Sequence, residues 1–61
     1  MKLKSYIIGQ YQGVKMIVDE SYDPKCAERL LKGYENNIYF GPEWRFSIVR
    51  SDPQKILDIF Q

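Results

Sequence analysis

Sixty-one residues, with nine Lys and Arg against eight Asp and Glu and no histidine, carry a net charge of +1 and suit one small domain over residues 1–61. At 44% hydrophobic and 15% aromatic the chain is too apolar for disorder, yet no apolar run exceeds three residues, which argues against a membrane-spanning helix or a signal peptide. One cysteine, Cys26, cannot close an internal disulfide, and a chain without histidine has no histidine-based metal site, triad or proton relay, so a cytoplasmic protein without cofactor is expected.

Residues 2–8 alternate roughly between polar and apolar and are bounded by Gly9, which predicts a strand with Leu3, Ser5 and Ile7 on one side and Lys2, Lys4, Tyr6 and Ile8 on the other. Residues 9–13 hold two glycines free to take positive φ, and Val14 to Val18 repeat the period of two, which predicts a hairpin. Asp23-Pro24 opens a helix, the aspartate as N-cap and the proline at a position whose N–H has no partner to lose. The helix is expected from Pro24 to about Lys32, with Cys26, Ala27, Leu30, Leu31 and Tyr34 as its inner stripe and Gly33 as its stop.

After a turn at Asn36 and Asn37, Ile38-Tyr39-Phe40 predicts a short strand, and residues 43–50 a longer one in which Trp44, Phe46 and Ile48 alternate with Arg45, Ser47 and Val49. Asp52-Pro53 repeats the helix opening of Asp23-Pro24, and Ile56, Leu57 and Phe60 then share one side of a final short helix. The fold class expected is α+β: a ββα-ββα pseudo-repeat, one mainly antiparallel four-stranded sheet with two helices on one face.

The residues give little chemistry to build on. Cys26 lies near a helix start, where the dipole lowers a thiol pKa, but it shares the inner stripe and has no histidine as base, so a buried structural cysteine is the expectation. Asp19, Glu20 and Asp23 cluster in the manner of oxygen ligands for a hard cation, but lack the glycine and closing glutamate of a calcium loop, and no metal site is assigned. No phosphate-binding glycine loop or nucleophile-elbow motif occurs, so an enzyme is not expected.

Parity is more informative. If both helices cover the side holding Leu3, Ile7, Val14, Met16, Val18, Trp44, Phe46 and Ile48, the other side is open and both basic and apolar. Tyr6, Ile8, Ile17, Tyr39, Arg45 and Val49 are then the candidate partner-binding residues, for a second copy of the chain or a larger protein. Alternatively Tyr6 and Tyr39 stack on single-stranded nucleic acid while Lys2, Lys4, Lys15 and Arg45 contact phosphates, although a pI near 7.8 is low for a dedicated nucleic-acid binder. A homo-oligomer is also expected, because so short a chain buries a small share of its surface. The aromatic strands and lack of catalytic motifs have the general look of a small phage or mobile-element protein. The function expected is therefore that of a small regulator or inhibitor that binds a larger macromolecule.

Overall fold

The computed structural model describes residues 2–60 and the side chains of residues 2–58. The chain runs β1 (Lys4–Tyr11), β2 (Val14–Ser21), α1 (Pro24–Glu35), β3 (Arg45–Ser51) and a 3-10 helix (Ile56–Phe60). β1 is the central strand of an antiparallel sheet of order β2-β1-β3. The fold is a small α+β one but corrects the expected ββα-ββα arrangement: the described residues form three strands rather than four and one α-helix rather than two.

The hairpin is tighter than expected. β1 continues through Gly9 to Tyr11, and the turn is Gln12-Gly13 alone, with φ of 53° and 80°. Positive φ at both central residues is the type I′ turn, whose twist matches that of the flanking strands. Gly9 instead serves close packing: a Cβ there would lie 3.1 Å from Trp44 Cζ3 and from Val18 Cγ1, and 3.2 Å from Phe46 Cε1. Further along, Ile7 faces Asp19 while Ile8 faces Ile17, so Val18 is the extra residue of a β-bulge.

α1 begins where Asp23 and Pro24 place it. The Asp23 carboxylate accepts from the Lys25 N–H at 2.9 Å, and the Ser21 hydroxyl accepts from the Asp23 N–H at 3.1 Å. The helix passes through Gly33 and ends at Asn36, whose N–H donates to the Lys32 carbonyl at 3.0 Å. Its inward stripe is Ala27, Leu30, Leu31 and Tyr34; Cys26, expected in the stripe, is exposed. The strand expected at residues 38–40 does not form. The Asn37 side chain accepts from the Tyr39 N–H at 2.9 Å and its carbonyl from the Phe40 N–H at 3.3 Å. This local turn takes up the backbone groups that a ladder would need.

The two helical segments lie on opposite faces of the sheet, which is the main correction. α1 covers the side of Ile7, Gly9 and Phe46, where the Tyr34 hydroxyl donates to the Val18 carbonyl at 3.1 Å and its ring packs 5.3 Å from Phe46. On the other side Ile56, from the 3-10 helix, packs with Tyr6 and Ile8 into a buried cluster flanked by Ile17 and Val49. Asp52 nonetheless repeats the start made by Asp23, accepting from the Gln54 N–H at 3.0 Å. The two Asp-Pro openings are thus alike, although the first leads into a 12-residue α-helix and the second into a short 3-10 segment. The Phe60 side chain, expected on the inner side of this segment, lies outside the described residues.

Two glycine substitutions should have opposite signs. Gly33 is an exposed helical residue with open space around it, so Gly33→Ala should stabilise by about 1 kcal/mol and raise the melting temperature by roughly 4–8 °C. Gly9→Ala should destabilise by about 1–3 kcal/mol, because the methyl group must displace Trp44, Phe46 or Val18. Circular-dichroism melts of the two variants check both.

Candidate interaction surface

The residues expected to form one open sheet face are divided by the C-terminal segment. Tyr6 and Ile8 are only 3% and 5% exposed, and Ile17 and Val49 pack against their cluster. Tyr6, Ile8, Ile17, Arg45 and Val49 do share a side of the sheet, as alternation along the strands requires. That side is not open, however: Ile56 closes over Tyr6 and Ile8, removing them from any partner-binding surface of the folded chain.

The bulge at Val18 also redistributes the charges. It turns Asp19 to the α1 side, where its carboxylate accepts from the Tyr34 hydroxyl at 3.2 Å, and brings Glu20 opposite Tyr6. Glu20 then pairs with Lys4 at 2.6 Å. Burial first, and the Asp19 charge second, push the Tyr34 hydroxyl above its ordinary pKa, while the hydrogen bond to Glu20 raises that of Lys4. Lys2 and Lys4 both lie over the Tyr22 ring, at 5.2 and 4.9 Å from its centre. Thus Lys4 is engaged within the chain, Lys2 lies over the same Tyr22 ring, Tyr6 is covered and Tyr39 lies on the segment between α1 and β3 and not on the sheet, so of the expected stacking-and-phosphate residues the structure brings together Lys15 and Arg45. Lys15 and Arg45 flank Gln10 in one cross-strand row at the open end of that side, above a hollow of about 200 Å³ that reaches Ile8 and Val49.

The carboxylates that resemble cation ligands in the sequence are dispersed by these roles. Asp19 serves Tyr34 and the Glu20 N–H, Glu20 serves Lys4, and Asp23 caps α1. Cys26 is exposed, and its thiol donates to Asp23 Oδ2 at 3.5 Å. That hydrogen bond and the Asp23 charge push the thiol pKa up, opposite to the lowering expected at a helix start, and leave it a poor nucleophile at neutral pH.

The surface that remains is the loop between α1 and β3. Its base is an aromatic cluster: Phe40 lies 5.7 Å from Tyr34, 5.0 Å from Trp44 and 5.1 Å from Phe46, and Trp44 stacks on Tyr11 at 5.1 Å. Gly41, at φ 69°, turns the chain between Phe40 and Trp44. With Phe40 and Trp44 folded inward, Ile38 and Tyr39 project from the tip, 90% and 92% exposed. Of the expected partner-binding residues, Tyr39 and Arg45 are the exposed ones. Ile38, a strand residue by propensity, belongs beside Tyr39 on this surface; the paired asparagines ahead of it are the signal in the sequence for a loop.

The Asp23–Cys26 contact gives a test by pH. The Lys25 N–H holds the Asp23 carboxyl below its ordinary 3.8, so its contribution to stability is present above that value and lost as pH falls through the lower folded value. Asparagine caps equally well, so Asp23→Asn should keep the helix, remove this acid sensitivity, and lower the Cys26 pKa toward the ordinary 9.0. The rate of thiol alkylation against pH reads the second effect, and an unchanged profile would contradict the assigned contact.

No family model, no curated protein and no solved structure matches this chain.

Proposed function

We propose that the protein is a non-catalytic binding module that regulates or inhibits a larger protein, engaging it through the α1–β3 loop with Ile38 and Tyr39 as anchors and Arg45 at the loop's base. The observation that carries this reading is the pair of large apolar side chains standing almost fully in water on a braced loop. Aromatic and arginine side chains are the usual anchors of protein interfaces, and a prepositioned anchor loses little conformational entropy on docking. Folding gives no reason for both residues to be apolar, because neither contributes to the core. Support also comes from the chemistry around them: the sole cysteine is held in its less reactive form and the clustered carboxylates are occupied.

The partner-protein reading has more support than the nucleic-acid one, since stacking through Tyr6 requires displacing Ile56. Ile38→Ser with Tyr39→Ser should leave the melting temperature within a few degrees, surface changes being worth about ±0.5 kcal/mol each. It should abolish retention of the protein that the wild-type chain captures from its source cells, whereas Cys26→Ala should retain it. Capture that survives the loop variant and fails with Cys26→Ala would refute the reading. A labelled single-stranded oligonucleotide should show no shift at low salt; a shift with a log–log salt slope of about −2 to −3 would favour the nucleic-acid reading instead.

A further inference from the structure

The sheet has two outer edges, and they differ. β2 carries a feature that discourages pairing: the bulge at Val18 breaks its line. β3 is seven residues without bulge, proline or glycine, and among the described residues it pairs with β1 alone. Its hydrogen-bonding phase is set by the hairpin. The two-residue turn closes on Tyr11 and Val14, whose backbone groups bond each other, so Tyr11 and Gly9 address β2 while Gln10, Ile8 and Tyr6 address β3. The partners of those three are Arg45, Ser47 and Val49, which leaves Phe46, Ile48 and Arg50 aiming N–H and C=O away from the sheet.

We propose that two copies of the chain pair their β3 strands antiparallel about a two-fold axis at Ile48, forming a continuous six-stranded sheet. A second copy is the occupant because the strand is self-complementary in this register. Ile48 meets Ile48, the Arg50 guanidinium meets the Phe46 ring of the second copy, Arg45 meets Ser51, and no arginine meets an arginine. Moving the axis by one residue in either direction shortens the ladder. This dimer differs from one formed through the Ile8–Ile17–Val49 side, which Ile56 covers in part.

The experiment combines sedimentation equilibrium with amide hydrogen exchange on the full chain. The mass should rise from 7.3 kDa toward twice that value between micromolar and millimolar protein. Exchange at Phe46, Ile48 and Arg50 should slow at least tenfold over the same range, while Lys15 and Ile17, which aim outward on β2, should not change. Arg50→Pro removes an outward N–H together with the guanidinium that meets Phe46 of the second copy, breaks no hydrogen bond within the sheet, and should give a folded monomer; Lys15→Pro should leave the dimer. A monomeric mass throughout, a dimer that survives Arg50→Pro, or protection at Lys15 and Ile17 in place of β3 would overturn the proposal. Should Arg50→Pro fail to fold, exchange in the wild-type chain decides alone. Because Ile38→Ser with Tyr39→Ser should leave the dimer intact, failure of the loop reading and failure of this one are distinguishable.

Discussion

The central strand needs cover on both faces. β1 directs Ile7 to one side and Tyr6 and Ile8 to the other, and all three are buried. A strand that is apolar on both faces must lie in the middle of a sheet with a layer above and below it. With one α-helix available, α1 takes the Ile7 side, and the 3-10 helix supplies Ile56 to the other. Most of the remaining architecture is a consequence of this division. The hairpin and β3 flank β1 so that its backbone groups are paired, and the bulge at Val18 lets β2 run alongside β1 while turning Asp19 toward Tyr34.

The aromatic cluster depends on the same strand through Gly9. With no side chain at that position, Trp44 and Phe46 settle close against the sheet, their rings stacked 5.7 Å apart and 6° from parallel. Phe40 meets both edge-on. The cluster thus ties the end of α1 to the start of β3 and fixes the base of the loop that carries Ile38 and Tyr39. Packing and the proposed interaction surface are in this sense one feature: the rings that turn inward determine which two side chains remain outside.

The α1 N-terminus shows how a cap can silence a side chain. Asp23 is held in its charged form by the Lys25 N–H, and that charge raises the Cys26 pKa, where the helix dipole alone would lower it. A cysteine near a helix start is therefore not reactive on that ground alone.

Elements with a local cause were legible in the sequence. Asp23-Pro24 opened α1, the period of two marked β1, β2 and β3, and parity put Tyr6, Ile8, Ile17, Arg45 and Val49 on one side of the sheet, because capping and pleat are properties of a few adjacent residues. Where two local preferences competed, the sequence misled: the Asn37 side chain drew residues 38–40 into a turn against their strand propensity, and Gly33 was tolerated within the helix because the chain beyond it continued to pack through Tyr34. Tertiary contacts alone settled which face each helical segment covers, where the bulge falls, and hence that Tyr6 and Ile8 are core. Those outcomes depend on contacts between residues far apart in the chain, such as Tyr6 with Ile56 and Tyr34 with Val18, and alternation along a strand is the same whichever face is later covered.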